Sequence, residues 1–236
     1  MRLPIATFIN MTTVTIGSLL GLYLNGVFPE SIEKIIFQAI GLATLVMGMM
    51  MCFKMKDGYM LIFIFSMILG GVIGEFMGID VFLQNLGDNL KDALNIGNAR
   101  FTEGLVTAFL LFCIGSMTIL GAIEEGLTGK RELLLVKSTL DGITSIAFAA
   151  TYGIGVLFSI IPMLILQGGI TLSASKLERF FTENIISMIS VTGGALILGI
   201  GIRMLKLGEV NIENLLPSIV VAVVLTAGWD WWKSRD

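Results

Sequence analysis

Apolar segments of about 20 residues recur along the chain, and short polar connections separate them. An α-helix of that length crosses the hydrocarbon core of a bilayer, so each segment is a candidate transmembrane span. The pattern predicts an all-α polytopic membrane protein with about seven to eight transmembrane helices. The spans are placed at residues 5–24, 35–53, 59–79, 104–123, 133–151, 154–172, 185–202 and 215–232.

The stretch 142–175 contains no charged residue, and at about 1.5 Å per residue it is too long for a single span. Two spans broken near residues 152–155 are the simplest interpretation. A helix followed by a re-entrant segment also fits, because Pro162 and the pair Gly168-Gly169 can interrupt the second piece where protein or water satisfies its backbone. Both alternatives stay open at the level of the sequence.

Two polar stretches, 80–100 and 173–183, carry apolar residues at helical spacing and predict two short interfacial helices that lie along the membrane surface. The apolar positions are Leu83, Leu86, Leu90 and Leu94 in the first stretch, and Leu177, Phe180 and Phe181 in the second.

Composition excludes a soluble or nucleic-acid-binding protein. Of the 236 residues, 55% are hydrophobic and 14% are charged, against about 25% charged residues in soluble domains. The mean hydropathy is +0.90. We therefore expect a single transmembrane domain over residues 1–236 whose main partner is the lipid bilayer. Lys and Arg are more frequent in the predicted loops on the side of the two termini, which predicts cytoplasmic termini.

The informative departures from the apolar pattern are ionisable residues at membrane depth. Lys137 and Asp141 lie four residues apart, so they share one helix face and can pair. Lys137 can also extend toward the cytoplasmic end of its span. Asp141, one turn deeper and shorter, cannot reach water in this way and is a candidate for the lining of a polar cavity.

Other polar residues in the spans are weaker candidates for a polar path. Glu103 begins the fourth span, where the helix dipole favours a carboxylate. Glu75 lies deeper and has no cation near it in sequence. The amides of Asn10 and Gln167 either serve a solute or bond across helices.

No catalytic, metal or cofactor site is expected. The methionine run 47–51 is best interpreted as apolar packing, since adjacent residues do not share a helix face. The chain has no histidine, so histidine-based hydrolysis and proton relays are excluded. We predict that the protein is not an enzyme and has no cofactor.

Small residues recur at helix-packing spacing within the spans. The glycines concerned are Gly17, Gly21, Gly70, Gly74, Gly193 and Gly194. The first interpretation is close helix packing in lipid, and the second is an internal repeat of the kind that builds many transporters. The same surfaces are compatible with a homo-oligomer.

The second half of the chain resembles the YdfK/YqgA family of bacterial membrane proteins, domain of unknown function 554. The motifs that carry the resemblance are Glu103-Gly-Leu-Val-Thr-Ala, Phe112-Cys-Ile-Gly-Ser-Met, Gly121-Ala-Ile-Glu-Glu-Gly126, Lys137-Ser-Thr-Leu-Asp-Gly142, Tyr152-Gly-Ile-Gly-Val156, Gln167-Gly-Gly-Ile-Thr-Leu172 and Asn214-Leu-Leu-Pro217. The first half matches mainly through Asn10 and Gly17-Ser-Leu-Leu-Gly21. The resemblance implies a multi-span protein of the bacterial cytoplasmic membrane, and no particular activity.

The leading hypothesis is a transport protein, a small permease or channel-like carrier for an ion or small solute. Its polar path would lie near spans four to six and include Asp141, Lys137, Glu103 and Gln167. The alternative is a non-transporting scaffold or sensor subunit that binds other helices through its glycines.

Overall fold

The computed structural model describes residues 3–24, 30–94, 100–114, 116–177 and 180–233, and the regular structure in these ranges is helical. In chain order the helices are α1 (Ile5–Leu24), α2 (Glu30–Cys52), α3 (Met60–Met77), α4 (Ile79–Leu94), α5 (Phe101–Cys113), α6 (Ser116–Thr128), α7 (Glu132–Tyr152), α8 (Gly155–Phe158), α9 (Ile160–Met163), a π-helical segment (Leu164–Gly168), α10 (Gly169–Leu177), α11 (Glu183–Met204), α12 (Ile212–Leu215) and α13 (Pro217–Lys233).

Within these ranges, six helices are long and apolar enough to cross a membrane, and the bent pair α5–α6 makes seven if it counts as one span. The six are Ile5–Leu24, Met60–Met77, Glu132–Tyr152, Gly155–Leu177, Glu183–Met204 and Ile212–Lys233. In α2, the apolar part Gln38–Cys52 is shorter than these. The prediction of an all-α polytopic membrane protein is confirmed.

The fourth predicted span, 104–123, is not one straight helix. Its two parts, α5 and α6, are bent by 56°. Ile114 leaves the helical conformation with φ −99° and ψ 77°. The hydroxyl of Thr118 donates to the carbonyl of Phe112 at 3.0 Å, so a side chain satisfies a carbonyl at the end of α5. A break in an apolar helix is tolerated in a membrane when the freed backbone is satisfied in this way.

The uncharged stretch 142–175 forms two helical pieces, as in the simpler of the two interpretations. The backbone of Gly153 has φ +79°, the left-handed region that favours glycine, and separates α7 from the second piece. That piece runs from Gly155 to Leu177 as one candidate span. The irregularity near Gly168 is a π-helical segment rather than an interruption of the helix.

The first of the two polar stretches forms a helix, α4, although the side chains of Leu86, Leu90 and Leu94 lie outside the described residues. The second is not a separate helix. Residues 173–177 are the last turns of α10, and α11 begins at Glu183. Lys176 lies in the last turn of α10, where a cation is favoured by the helix dipole, so the helix extends into the polar stretch.

The chain forms two compact units. Unit 1 consists of residues 1–40 and 87–180, and unit 2 of residues 41–86 and 181–236. Each unit pairs long helices through glycine contacts. The predictions of one domain over the whole chain and of an internal repeat stay predictions.

In unit 1, α1 lies against α7 at very short range. A Cβ on Gly17 would lie 2.2 Å from the carbonyl oxygen of Gly142, and a Cβ on Gly21 would lie 2.2 Å from that of Ile146. Glycine is therefore required at both positions for this approach. The contacts advance in the same direction along both helices, so α1 and α7 are parallel.

In unit 2, two antiparallel helix pairs rest on glycine. A Cβ on Gly74 would lie 1.9 Å from the carbonyl oxygen of Asn214 and one on Gly70 would lie 2.2 Å from Cα of Ser218, which joins α3 to α12 and α13. A Cβ on Gly194 would lie 2.9 Å from the carbonyl oxygen of Gly48, which joins α11 to α2. The adjacent Gly193 is also buried in α11.

Candidate functional site

Four polar side chains from three elements of unit 1 meet in its interior. We call Asn10 of α1, Lys137 and Asp141 of α7, and Gln167 of the π-helical segment the polar cluster. Asn10 and Gln167 are 0% exposed, and Lys137 and Asp141 are 6% exposed. Charged and amide groups at this depth require partners, because their desolvation is costly.

The carboxylate of Asp141 lies at the centre of the polar cluster. Its Oδ2 accepts from Nδ2 of Asn10 at 2.9 Å and from the ammonium of Lys137. The same Nδ2 of Asn10 donates to Oε1 of Gln167 at 3.2 Å. One carboxylate oxygen and one amide nitrogen thus connect all four side chains.

Several polar atoms of this region have no hydrogen-bond partner in the part of the chain that the structure describes. They are Oδ1 of Asn10, Nε2 of Gln167 and the hydroxyl of Thr7, one turn before Asn10 on α1. The hydrogen bonds of Asp141 all go to Oδ2, which leaves its Oδ1 without a donor in the same ranges. Buried amides left unpaired are uncommon, and water, an ion or another ligand would satisfy these atoms.

The close approach of α1 and α7 brings Asn10 to Asp141. Thr13, one turn after Asn10, donates its hydroxyl to the carbonyls of Asn10 and Ser138, both at 2.9 Å. Gly17, one turn further, lies against Gly142. Small and hydroxyl-bearing residues on one face of α1 therefore fix its register on α7.

Two helix irregularities adjoin the polar cluster. The ring centroid of Phe112, at the end of α5, lies 6.0 Å from Nζ of Lys137, so the break between α5 and α6 is next to the ammonium. Gln167 lies in the π-helical segment itself. Both π-helical turns and broken transmembrane helices occur frequently at functional sites.

A second buried carboxylate lies at the N-terminus of α1. Glu125 of α6 is 0% exposed, and its Oε1 accepts from the backbone N–H of Ala6 and from Nε of Arg131, each at 2.9 Å. Its Oε2 has no partner among the described atoms. Ala6 and Asn10 are four residues apart, so this group lies about 6 Å from the polar cluster along α1.

The remaining candidates from the sequence lie elsewhere. Glu103 is in the first turn of α5, nine residues before Phe112 and therefore about 14 Å from the break along the helix axis. Glu75 is exposed in unit 2, where its Oε2 accepts from Nδ2 of Asn214 at 2.7 Å. The structure thus brings together Asn10, Lys137, Asp141 and Gln167 and does not bring Glu103 or Glu75 to them.

Sequence reasoning missed two contributors to this region. Thr7 is an ordinary helix hydroxyl in the sequence, and its position one turn from Asn10 was the available signal. Glu125 and Arg131 lie six residues apart in the chain, whereas the contact of Glu125 with Ala6 joins residues that are 119 positions apart. Within the described ranges, no three His, Cys, Asp or Glu side chains form a group that could hold a metal ion.

The chain matches one protein family and two related proteins over most of its length. Residues 5–227 match the family described as "Protein of unknown function (DUF554)". The chain is 33% identical to "Uncharacterized membrane protein YdfK" of Bacillus subtilis (strain 168), over 93% of this chain and 94% of that protein. It is 30% identical to "Uncharacterized protein YqgA" of Escherichia coli (strain K12), over 97% and 98% of the two chains. No solved structure gives a significant match. The chain therefore belongs to the DUF554 family of proteins.

Proposed function

We propose that this protein transports an ion or small solute across the bacterial cytoplasmic membrane, as a small permease or channel-like carrier with both termini in the cytoplasm. The observation that carries the proposal is the buried polar cluster around Asp141, in the middle of α7. An ionisable residue at a helix centre costs about 2.5 to 3.5 kcal/mol on insertion scales and commonly marks an ion or substrate path. The proposal includes no catalytic step.

The unpaired atoms of the polar cluster support a binding role over a purely structural one. A structural ion pair is most stable when every remaining donor and acceptor is satisfied. Here the amides of Asn10 and Gln167 each retain an unpaired atom among the described residues. A bound ion, water or solute would satisfy them.

The surroundings of Glu125 supply an approach to the polar cluster. Arg131, which pairs with Glu125, has a side chain that is 38% exposed. Thr7 lies between Ala6 and Asn10 on α1, and its hydroxyl is buried. Polar groups therefore extend from an exposed arginine, through Glu125 and Thr7, to Asn10. We propose this line as one end of the transport path.

The test is flux in proteoliposomes that contain the purified full-length chain. Reporters for H⁺, Na⁺ and K⁺ are read under imposed gradients for wild type, Asp141→Asn and Asp57→Asn. Asp57 is an exposed residue in the turn before α3, so it offers the same chemical change away from the polar cluster. We expect flux in wild type and Asp57→Asn, and its loss in Asp141→Asn.

Folded yield, measured by gel filtration in detergent, separates lost transport from lost folding. If Asp141→Asn does not fold, Asp141→Glu is used in its place, because it retains the negative charge. We expect this variant to have altered flux. Flux in Asp141→Asn equal to wild type would contradict the assignment of Asp141. Silence in wild type toward ions and a panel of uncharged solutes, with copurification of one stoichiometric partner, would favour the scaffold or sensor alternative.

A further inference from the structure

The aromatic ring of Phe112 lies beside the buried ammonium of Lys137. The ammonium has three N–H donors, and its hydrogen bond within the described ranges goes to the carboxylate of Asp141. The ring centroid of Phe112 lies 6.0 Å from Nζ of Lys137, and this phenylalanine is 1% exposed. The face of an aromatic ring attracts a cation, and more strongly where water is excluded. The carboxylate and the ring therefore hold the ammonium together.

The break between α5 and α6 determines where this ring lies. The hydroxyl of Thr118 donates to the carbonyl of Phe112 at 3.0 Å, and both residues are buried. In an uninterrupted helix, a backbone N–H four residues later satisfies such a carbonyl. At the end of α5 the hydroxyl supplies a hydrogen bond, so the backbone can leave the helical path at low cost. Thr118 thus fixes the residue that carries the ring.

The position of the ammonium affects what Asp141 can bind. The hydrogen bonds of this carboxylate, from Lys137 and from Asn10, both go to Oδ2, and Oδ1 accepts none within the described ranges. An ammonium that is free to move can also pair with Oδ1, because both oxygens belong to one carboxylate. A ring that holds the ammonium at Oδ2 therefore leaves Oδ1 available to the transported species.

We propose that Phe112 is a positioning residue of the transport path. Its ring holds the Lys137 ammonium at Oδ2 of Asp141, and Thr118 holds the ring in place at the break after α5. This inference rests on the transport function proposed above. Phe112 acts through Lys137 and does not itself bind the transported species.

The first experiment weakens the attraction and keeps the ring. In the full-length chain, Phe112 is replaced by phenylalanine with one, two or three fluorine atoms on the ring, which reduce the negative potential of its face with little change in size. Flux in proteoliposomes is measured over a range of Na⁺, K⁺ and H⁺ concentrations. We expect the half-saturating concentration to rise with each fluorine, by about fivefold in total, while the maximal flux changes by less than about twofold.

Phe101 is the matched control, because it lies on the same helix and is 0% exposed. Its ring packs against that of Phe158, with the centroids 5.3 Å apart. The same fluorine series at Phe101 therefore changes an aromatic contact instead of the contact with Lys137. The half-saturating concentration should stay at the wild-type value. An equal rise in the two series would overturn the role of Phe112, because it would reflect helix packing alone.

Substitutions of Thr118 test whether the break positions the ring. Thr118→Val removes the hydroxyl and should raise the half-saturating concentration, whereas Thr118→Ser keeps the hydroxyl and should restore the wild-type value. Thr107→Val is the control, because Thr107 is buried on α5 and its hydroxyl has no hydrogen-bond partner within the described ranges. Equal rises in Thr107→Val and Thr118→Val would overturn the part assigned to Thr118. If Thr118→Val does not fold, the fluorine series still tests Phe112.

A second measurement does not require transport. The unfolding midpoint in detergent should fall as fluorine atoms are added at Phe112, because a stabilising attraction is lost. The Phe101 series corrects for the greater hydrophobicity of a fluorinated ring. Such a fall without flux in wild type would support the contact with Lys137 but contradict the transport function and the role of Phe112 in it. Flux in wild type with one half-saturating concentration throughout the Phe112 series would support transport and overturn this inference.

Discussion

The two units use glycine in the same way but treat buried charge differently. In both, helices approach so closely that a Cβ would meet backbone atoms, as at Gly17 in unit 1 and Gly74 in unit 2. In unit 1 this approach brings an amide to a carboxylate in the middle of α7. In unit 2 the charged contacts lie at the ends of the helices.

Three buried or half-buried charged residues of unit 2, Arg203, Glu213 and Asp230, have charged or hydrogen-bonding partners. Arg203 and Glu213 make a two-oxygen contact with N–O distances of 3.1 and 3.2 Å. Asp230, near the end of α13, accepts from the hydroxyl of Tyr59 and from Nδ2 of Asn184 at 3.0 Å. Burial and the Asp230 carboxylate raise the pKa of Tyr59 to about 12, so the phenol remains a donor at neutral pH.

Incomplete pairing at mid-helix therefore distinguishes the polar cluster from the structural polar contacts of unit 2. This distinction applies to charged and amide groups, since each unit also buries hydroxyls without a described partner, such as Thr107 and Thr192. The ion pairs of unit 2 occupy helix ends, where water and loops reduce the cost of a charge. The polar cluster of unit 1 has no such position, which supports the binding role proposed above.

The largest effect is expected from alanine at the glycine contacts, which tests the feature that the units share. Gly17→Ala and Gly74→Ala would place a Cβ 2.2 and 1.9 Å from backbone carbonyl oxygens. Since backbone cannot yield as a side chain does, each should lose about 3 kcal/mol or more of stability. Folded yield and the detergent unfolding midpoint measure the loss.

Each unit supplies its own control for this substitution. A Cβ on Gly169 in unit 1 or on Gly228 in unit 2 would meet nothing within 4 Å. Alanine at these helical positions should raise stability by up to about 1 kcal/mol, because it is the better helix former. Equal midpoints for the contact and control variants would show that the helices do not approach as described.

The next largest effect is expected at the buried carboxylate of unit 1. Glu125→Gln removes the charge that compensates Arg131 and the N-terminus of α1, although the amide oxygen can still accept hydrogen bonds from both. We expect a loss of about 2 kcal/mol, less than for a fully buried pair because Arg131 is partly exposed. The unfolding midpoint is compared with that of Glu124→Gln, whose side chain is only half-buried. An equal small shift in both variants would rule out a special role for Glu125.

The sequence was sufficient to predict part of the polar cluster. Lys137 and Asp141 pair through helical periodicity alone, and the amides of Asn10 and Gln167 were identified by their depth in apolar segments. The meeting of Asn10 with Asp141 joins residues 131 positions apart, and no local pattern encodes it. Glu103 and Glu75 have the same chemical signal as Asp141 but different surroundings, which depend on how the helices pack.

The bend between α5 and α6 was missed for a similar reason. The residues on both sides of the break are buried in protein and are mostly apolar. The apolar pattern of 104–123 therefore continues through the break and gives no sign of it. The compensating bond from Thr118 to the carbonyl of Phe112 spans six residues and has no signature in hydropathy. Helix length and apolar character are thus local properties, whereas breaks depend on tertiary partners.

A smaller effect is expected at the matched ion pair of unit 2, and it sharpens the contrast with unit 1. Glu213→Gln weakens the contact with Arg203, whose side chain is 24% exposed against 11% for Glu213. We expect a loss of about 1.5 kcal/mol in the unfolding midpoint assay. Flux per folded molecule should equal wild type, because the proposed transport path lies in unit 1. Lost flux at full folded yield would show that the function also depends on unit 2.

The smallest effect is expected at Asp80, in the first turn of α4, and it depends on pH. The backbone N–H of Val81 donates to Oδ1 at 2.8 Å, and Nδ2 of Asn211 donates to Oδ2 at 3.1 Å. These bonds favour the charged form and lower the pKa of Asp80 below its ordinary value of 3.8, the contact with Val81 most strongly. A carboxyl whose pKa is lowered by folding stabilises the protein above its ordinary pKa, and the contribution is lost as the pH falls through the folded value.

Asp80→Asn should therefore lower the unfolding midpoint slightly at neutral pH, and the difference from wild type should disappear in acid. The change is small because solvent screens the partly exposed carboxylate. Asp57→Asn, an exposed turn residue, controls for the change in net charge and should leave the midpoint unchanged. A difference that persists at a pH below the folded pKa would mean that the Asp80 side chain acts through its shape rather than its charge. In that case the contacts of Asp80 at the start of α4 would not be electrostatic. The contrast between paired charges at helix ends in unit 2 and the polar cluster in unit 1 would then depend on Glu213.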